Sequence, residues 1–285
     1  MLKVAIQGAQ GSFHELAAQR YFGKKVPIVY CDTFKAVFDA IHDNTASAAV
    51  VAIGNSHYGD IDQVYDRLIA NNLNPKSKLK YWISGEVYIN IEQCLLGVPG
   101  TTLKTITEVH SQAPALGQCF NFLHTRLSGV LHVEQDDTAK SALLVSQWQD
   151  PTKAAIASRT AAKLYNLKVI ASAIQDHKVN ITRFLIIETS AMHDLADSNK
   201  TSLLLKTSHQ PGSLAKALVL FSDFDINLSY LQSVPIPHQP FQYRFYIDME
   251  AGLEDKRVVK ALKVLRLADY KIDVLGSYKK AKFPN

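Results

Sequence analysis

Residues 48–53 read Ala-Ala-Val-Val-Ala-Ile, an unbroken apolar run that ends at Gly54-Asn55. Such a run predicts a strand that is buried on both faces, as the strands of parallel sheets are. The preceding sequence predicts strands and helices in turn, at residues 2–6, 12–18, 26–30 and 33–42. The first of these helices starts at Ser12, which with Glu15 has the spacing of a capping box. Strands that alternate with helices indicate an α/β fold with parallel sheets.

A second alternation of strands and helices begins after Pro99-Gly100. It comprises predicted strands and helices at residues 105–109, 114–123, 130–133, 137–148, 154–157, 160–165 and 184–188. The two stretches are divided near residues 95–100, and we therefore expect two lobes. Clefts between lobes are favoured sites for small ligands.

The pattern changes after a polar segment at residues 190–200, which we interpret as a linker. Strands and helices are then predicted in the order βαββαβ, at residues 202–206, 213–224, 226–228, 241–249, 256–267 and 271–275. This order within about 80 residues predicts a ferredoxin-like domain.

The composition is that of an ordinary globular protein. Of 285 residues, 47% are hydrophobic and 20% are charged, which is enough apolar material for two or three folding units. The net charge of +5 is spread along the chain, and the densest basic cluster is the tail at residues 279–282. Because phosphate binding needs a basic face rather than a tip, we interpret this cluster as a solvated chain end and expect no nucleic-acid partner.

Cysteine usage and hydropathy indicate a cytoplasmic protein. The three cysteines are widely spaced without a CxxC pair, which argues against disulfides and zinc and for a reducing compartment. No apolar run approaches the roughly 20 residues of a membrane span, and the opening run is too short for a signal peptide. The sequence also lacks the common metal-binding and nucleotide-binding motifs, so we expect no membrane, metal or nucleotide partner.

Several short motifs occur in the same order as in one enzyme family. The most specific is N-I-T-R-F at residues 180–184. The others are D-T-A at residues 137–139, Ser111 with Ala115-Leu116 and Gln118-Cys119, and the glycines Gly8 and Gly11. In these motifs the chain resembles the prephenate dehydratases over nearly its whole length.

This resemblance implies a lyase that converts prephenate to phenylpyruvate, with loss of carbon dioxide and the ring hydroxyl and without a metal or other cofactor. Because hydroxide is a poor leaving group, a proton donor has to lie near it. The motif positions imply that the catalytic residues are Thr182 (the donor), Asn55, Ser111 and Gln118. They imply that the substrate-binding residues are Ser12, Thr138, Arg183 and Phe184, with Arg183 bound to a carboxylate.

Several of these side chains also have a purely structural interpretation. Ser12, Ser111 and Thr138 lie where helices are predicted to start, so they are candidates for helix capping. Asn55 follows a strand and is typical of a turn. Arg183 is equally a candidate for an ion pair inside the domain.

Two positions depart from the family pattern. Gly54 stands where the family usually has glutamate, and Gln112 stands where it usually has histidine. If either ionisable group tunes the proton donor, its loss would lower activity by about 10²-fold or more. Glu86 and His57 lie nearby in the sequence, which leaves a replacement for the carboxylate open.

The C-terminal region resembles the ACT domains, which sense amino acids. The matching segments are P-G-S-L at residues 211–214, I-N-L-S at 226–229 and Q-S-V-P at 232–235. The resemblance implies that L-phenylalanine binds as an effector, between two such domains of a homodimer or homotetramer. The residues implied for this site are Gly212, Ser213, Leu214, Asn227, Gln232 and Ser233.

These patterns together predict two domains. An α/β two-lobed catalytic domain, like a type II periplasmic binding protein, is expected at residues 1–192, with hinges near 95–100 and 180–184. A ferredoxin-like βαββαβ ACT domain is expected at residues 200–280. Two alternatives stay open: an arogenate dehydratase, whose substrate has an amine in place of the keto group of prephenate, and a non-catalytic ligand-binding relative, which would explain Gly54 and Gln112.

Overall fold

The computed structural model describes residues 2–74, 76, 77, 79–190, 195–237 and 239–284. Its strands are β1 (Val4–Gln7), β2 (Ile28–Cys31), β3 (Ala48–Asn55), β4 (Gly59–Asp60), β5 (Trp82–Asn90), β6 (Cys94–Gly97), β7 (Glu108–Ser111), β8 (Leu131–Glu134), β9 (Lys153–Ala157), β10 (Lys168–Ala171), β11 (Ile181–Glu188), β12 (Lys200–Lys206), β13 (Leu228–Pro235), β14 (Tyr243–Met249) and β15 (Lys271–Tyr278). Its helices are α1 (Phe13–Phe22), α2 (Phe34–His42), α3 (Asp62–Leu73), α4 (Ala113–Gln118), α5 (Phe120–Arg126), α6 (Thr138–Trp148), α7 (Arg159–Leu164), α8 (Ser213–Asp223) and α9 (Lys256–Leu267).

The chain divides into two compact units. The first comprises Met1–Ile69, Val87–Leu185 and Phe283–Asn285, and the second comprises Ala70–Glu86 and Ile186–Lys282. The sequence pattern did not indicate that residues 70–86 group with the C-terminal region.

The first sheet has the strand order β2-β1-β3-β11-β5, and the short strand β4 pairs with β3. β1 runs parallel to both β2 and β3. The apolar run 48–53 forms most of β3, and none of its side chains is more than 4% exposed. The prediction of a strand buried on both faces is therefore confirmed.

The second sheet has the strand order β10-β6-β9-β7-β8 and is mixed. β7 runs parallel to β8 and β9, whereas β6 runs antiparallel to β9 and β10. The prediction of parallel sheets is wrong for β6. β6 is reached from β5 of the first sheet through residues 91–93, without a helix, and it runs opposite to both of its own neighbours.

The chain passes from the first sheet to the second at residues 91–93 and returns at 172–180. Both crossings lie just before the predicted hinges at residues 95–100 and 180–184. Those segments instead contribute to the strands β6 and β11, whose apolar side chains are buried. The backbone groups of a strand in a sheet interior are hydrogen-bonded to its neighbours. The chain therefore crosses between the sheets in the segments that lie between strands.

The second unit contains an antiparallel sheet in the order β13-β14-β12-β15. The chain order β12-α8-β13-β14-α9-β15 is the predicted βαββαβ arrangement. Its core consists of apolar residues from one face of this sheet and from α8 and α9, among them Leu203, Leu205, Phe221, Ile247 and Leu265. β13 and β15 are the edge strands.

The predicted linker at residues 190–200 includes residues 191–194, which lie outside the described part of the chain, as does the predicted end of the first domain at residue 192. Leu195–Asp197 forms a short 3-10 helix, and β12 already begins at Lys200. Within the described ranges, no helix combines the length and the apolar character that a membrane crossing requires. The thiols of Cys31, Cys94 and Cys119 are free.

Candidate functional site

A cavity of about 1030 Å³ lies in the first unit, lined by residues from elements of both of its sheets. Six of the eight residues predicted for catalysis and substrate binding line it: Ser12, Asn55, Gln118, Thr138, Thr182 and Phe184. They lie in α1, β3, α4, α6 and β11 or at the ends of these elements. The fold therefore brings together side chains that are far apart in the sequence.

The helices α1, α2 and α6 are among those that begin at this cavity. Their N-cap residues Ser12, Thr33 and Asp137 line it, and each side chain accepts a hydrogen bond from a backbone N–H of the first turn. The start of a helix has partial positive charge and N–H groups that favour anions. These helix starts therefore suit the anionic groups of a small ligand. Ser12 is a helix cap and lines the cavity, whereas the cap of α6 is Asp137 and not Thr138.

The glycine turn before α1 packs against the starts of α6 and α7. Gly8 has a φ of +103°, and a Cβ atom there would lie 2.6 Å from Oδ2 of Asp137. Ala9 N–H donates to Oδ1 of Asp137 (3.5 Å), and the Ser158 hydroxyl donates to the Gly11 carbonyl (2.7 Å). Glycine at position 8 is thus required by both the backbone conformation and the close approach. This turn connects the α1 end of the cavity to the α6 end.

Thr182 lies at the start of β11, and Asn55 lies beside it at the end of β3. The Asn55 Oδ1 atom accepts hydrogen bonds from the backbone N–H groups of His57 (2.9 Å) and Tyr58 (3.0 Å). Because a backbone N–H can only donate, these contacts place the amide nitrogen of Asn55 toward Thr182 and Asn180. It donates to Thr182 Oγ1 at 2.9 Å and to Asn180 Oδ1 at 2.8 Å.

The hydroxyl of Thr182 therefore accepts a hydrogen bond from Asn55. A threonine hydroxyl has one proton to donate and two lone pairs to accept. In the described part of the chain, the bond from Asn55 is the one hydrogen bond that Thr182 Oγ1 makes. The proton of this hydroxyl is thus left to donate to a ligand, while Asn55 both forms a turn and orients Thr182.

Gln118 extends this network of amide groups. Its Oε1 atom accepts from Asn180 (3.0 Å) and from Gln93 (3.3 Å), and its amide nitrogen donates to Asn55 Oδ1 at 3.4 Å. Asn180 and Gln93 are 1% and 3% exposed, and Gln93 also lines the cavity. Our sequence predictions missed Gln93. The feature of the sequence that could have revealed it is a single amide side chain directly before the buried strand that starts at Cys94.

The structure does not bring Ser111 and Arg183 into the cavity lining. Ser111 is fully buried in β7, and its hydroxyl donates to the Ile156 carbonyl at 2.7 Å. The predicted role of Ser111 in the cleft is therefore corrected, and so is its role as a cap, because α4 is preceded by Gln112. Arg183 lies between Thr182 and Phe184, and neighbouring side chains of a strand point to opposite faces. Arg183 is therefore placed away from the face of Thr182, and its contact with a substrate carboxylate stays a prediction.

Phe184 lies on the same face of β11 as Thr182, and His14 packs against it. The two rings meet edge to face, with centroids 5.1 Å apart. On another side, the imidazole is 5.8 Å from the ring of Phe34. Burial lowers the pKa of His14 to about 4, so its imidazole is neutral at pH 7. Our sequence predictions did not single out His14, although it follows Ser12 in the first turn of α1.

Gly54, where the family usually has glutamate, lies opposite an acidic residue. It pairs with Asp60 in the antiparallel β3–β4 hairpin, and a Cβ atom on Gly54 would lie 3.1 Å from Asp60 Oδ1. Asp60 lines the cavity. Glu86 does not line it, because Glu86 is buried in an ion pair with Lys200. His57 does not line it either, and its ring contacts the Val179 carbonyl. Asp60, and neither Glu86 nor His57, therefore places an ionisable side chain beside Gly54 at the cavity.

We expect Gly54→Glu by itself to lower the free energy of unfolding by about 1 kcal/mol or more, because the new carboxylate would meet that of Asp60. Adding Asp60→Asn should recover much of this loss. A double-mutant cycle, measured by urea denaturation of the four proteins, should give a coupling of about 0.5–3 kcal/mol. Additive effects of the two substitutions would show that the two carboxylates do not repel each other.

The residues predicted for effector binding all lie in the second unit. Gly212 has a φ of +78° and is the N-cap of α8, whose first residues are Ser213 and Leu214. The Ser213 hydroxyl donates to the Ser208 carbonyl at 2.7 Å. The left-handed conformation at Gly212 favours glycine, so this loop is well determined by its sequence.

The other three predicted effector residues lie in or next to the edge strand β13. Asn227 precedes the strand, and its amide donates to Glu250 Oε2 at 3.0 Å. Gln232 and Ser233 lie within β13, and Gln232 Oε1 accepts from the Tyr230 hydroxyl at 2.8 Å. The six residues thus belong to the start of α8 and to one edge of the sheet.

The fold and the cavity together define an α/β protein with a site for a small molecule. The site presents a hydroxyl donor held by an amide network, and the starts of α1, α2 and α6 border it. Within the described residues, no cluster of His, Cys, Asp or Glu has an arrangement that would hold a metal ion.

Comparison with known proteins shows the family of the chain. The family model for prephenate dehydratase matches residues 4–192. The bifunctional chorismate mutase/prephenate dehydratase of Aquifex aeolicus is 34% identical over 282 residues, covering 98% of this chain and 74% of that protein. Arogenate dehydratase/prephenate dehydratase 1 of Arabidopsis thaliana is 36% identical over 292 residues, covering 97% and 72%. The chain belongs to the prephenate dehydratase family.

Solved structures show the same fold. The prephenate dehydratase of Arthrobacter aurescens in complex with L-Phe has a TM-score of 0.84 and 27% identity, covering 98% of this chain and 90% of that chain. GqqA, described as a novel type of quorum-quenching acylase, has a TM-score of 0.85 and 28% identity, covering 98% of each chain.

Proposed function

We propose that this chain catalyses the decarboxylating dehydration of prephenate to phenylpyruvate, a lyase reaction. The observation that supports this most is the Thr182 hydroxyl. The Asn55 amide donates to it, and so its own proton is directed to a ligand in the cavity. The starts of α1, α2 and α6 would stabilise the carboxylates of the substrate.

In the proposed reaction, the bond between the ring and its carboxylate breaks and carbon dioxide leaves. The electron pair of that bond enters the ring, and the C–O bond of the ring hydroxyl breaks with its electron pair on the oxygen. This oxygen takes the proton of Thr182 and leaves as water, and water then returns a proton to Thr182. General acid catalysis of this kind contributes about 10²–10⁴-fold, and the positioning of both reacting groups contributes the rest.

The direct test is to incubate the purified protein with prephenate at neutral pH and to follow the formation of phenylpyruvate by its absorbance in alkali. Turnover above the uncatalysed rate supports the proposal. If the protein binds phenylpyruvate but turns over neither prephenate nor arogenate, the non-catalytic ligand-binding alternative would be favoured.

Arogenate is a second candidate substrate, and the charges of the cavity favour considering it. Six carboxylates line the cavity, at Asp32, Asp60, Asp62, Glu134, Asp136 and Asp137. Among the described lining residues, Lys140 is the one lysine or arginine. The ammonium group of arogenate would be attracted to such a surface, whereas the keto group of prephenate would not. The ratio of kcat/KM for the two substrates decides between them.

For the domain organisation, we propose a two-lobed catalytic domain at residues 1–192 and an ACT domain at 200–280. The βαββαβ order of β12 to β15 supports the second assignment. The structure of the Arthrobacter aurescens relative with bound L-Phe supports an amino-acid effector. We propose a homodimer or homotetramer, because the edge strand β13 is available to pair with a second copy. The cytoplasmic location stays a prediction.

L-Phenylalanine is expected to change the activity and to raise the melting temperature of the protein, because an effector that binds one state stabilises that state. The binding should depend on the start of α8. We expect Gly212→Val to weaken it about tenfold or more, because the φ of +78° is strained for valine and because the side chain would block the helix N–H groups. Calorimetric titration with phenylalanine measures this effect. If phenylalanine changes neither activity nor melting temperature, the sensing proposal is wrong.

A further inference from the structure

His14 has a side chain in the cavity that the proposed reaction has not yet used. Its Nε2 atom lies 3.2 Å from the backbone nitrogen of Ala52 in β3. The pairing of β1 with β3 ends at Val50, so the Ala52 N–H is not taken by that ladder. Because this N–H can only donate, Nε2 has to be the unprotonated ring nitrogen.

The proton of the neutral imidazole is therefore on Nδ1. Nδ1 makes no hydrogen bond to the described residues. It is also not one of the buried side-chain atoms that lack a partner, so it is accessible from the cavity. Since His14 is half-buried and lines the cavity, the accessible Nδ1–H faces space that a ligand can reach. The ring contacts with Phe184 and Phe34 hold it in this orientation.

We propose that His14 is a substrate-binding residue, whose neutral imidazole donates a hydrogen bond from Nδ1 to an oxygen of the substrate's side chain, which the product phenylpyruvate keeps. This inference rests on the proposed function and adds a side-chain donor to it. Both candidate substrates have two carboxylates. Thr182, Phe184 and His14 then form one contact surface, with Thr182 at the leaving hydroxyl and His14 at an oxygen elsewhere on the same molecule.

Two substitutions separate the functions of the two ring nitrogens. An asparagine amide lies close to the position of Nδ1, and a glutamine amide lies close to that of Nε2. We expect His14→Asn to keep a donor for the substrate, and His14→Gln to keep the acceptor for Ala52 but to lose that donor. His14→Phe keeps the ring contacts and loses both nitrogens.

We expect His14→Gln and His14→Phe to raise KM by about tenfold or more, since a hydrogen bond to a charged group is lost. His14→Asn should stay within about threefold of the unsubstituted protein. The dissociation constant of phenylpyruvate, measured by calorimetry, should follow the same order. His42→Gln, on an exposed histidine at the end of α2, is the matched control and should leave both quantities unchanged.

The possible results distinguish this inference from the proposed function. If prephenate is turned over and folded His14→Gln and His14→Phe keep their KM and their affinity for phenylpyruvate, the His14 assignment is wrong and the proposed function stands. If neither substrate is turned over, the order of the phenylpyruvate affinities still decides the His14 assignment. If the unsubstituted protein also fails to bind phenylpyruvate, both are contradicted. Circular dichroism and melting temperature establish that each variant is folded.

Discussion

Replacing Thr182 with valine is expected to lower kcat/KM for prephenate by about a thousandfold, with most of the loss in kcat. Valine has nearly the same shape as threonine but has no hydroxyl, so the substitution removes the proposed proton donor. A general acid typically contributes about 10²–10⁴-fold. Steady-state kinetics with prephenate measures the loss. If arogenate is the preferred substrate, the same measurement is made with arogenate.

Thr182→Ser is the matched control for this prediction, because serine keeps the hydroxyl that Asn55 orients. It should retain activity within about tenfold. Thr182 is 9% exposed, so the melting temperature of each variant is needed to exclude a loss of folding. If folded Thr182→Val keeps kcat within about threefold, Thr182 is not the proton donor.

Replacing Lys200 with alanine is expected to lower the free energy of unfolding by about 3–5 kcal/mol, the second large effect. Lys200 is 2% exposed, and its Nζ lies 2.8 Å from Glu86 Oε2 and 3.7 Å from Asp248 Oδ2. Both carboxylates are buried in the second unit. Without the ammonium group, two negative charges would remain in a site from which water is excluded. Urea denaturation followed by circular dichroism measures the change.

Lys280→Ala is the control, because Lys280 pairs with Glu250 at a partly exposed site. Its loss should cost about 1 kcal/mol or less. In a second control, Glu86→Gln added to Lys200→Ala should recover part of the stability, since it removes one of the two buried charges. Equal effects of Lys200→Ala and Lys280→Ala would contradict the prediction that burial determines the size of the loss.

The local patterns of the sequence predict most of the fold. The apolar run 48–53 was predicted to be a buried strand and forms β3, and the βαββαβ order of the C-terminal region matches β12 to β15. The general expectation of parallel sheets was wrong at β6, because hydropathy shows that a strand is buried but not the direction of its neighbours. Pairing direction depends on how the chain enters the sheet, which is a property of the whole topology.

The candidate site was predicted from motifs that the chain shares with a family, and the structure divides that set. Six of the eight predicted residues line one cavity. Arg183 does not, because alternation along β11 turns it away from the face of Thr182. Ser111 does not, because its hydroxyl donates to the Ile156 carbonyl. A motif of consecutive residues includes side chains from both faces of a strand. The motif by itself therefore does not show which of its side chains contact the ligand.

His14, Gln93 and Asp60 entered the site only through the tertiary structure. Each lies in a separate segment of the sequence, and each has a role that depends on an atom from another segment. For His14 this atom is the Ala52 nitrogen, and for Gln93 it is the Gln118 amide oxygen. Asp60 lies where a side chain on Gly54 would point.

By itself, the sequence determined the order and type of most strands and helices and the family, and it gave Thr182 as the candidate proton donor. These depend on the period of apolar residues and on short motifs, which are local along the chain. The tertiary structure alone decided which helix starts border the cavity, which way the Asn55 amide points and which ring nitrogen of His14 holds the proton. These depend on hydrogen bonds between distant segments, and such bonds are determined only when the folded chain brings one particular donor to one particular acceptor.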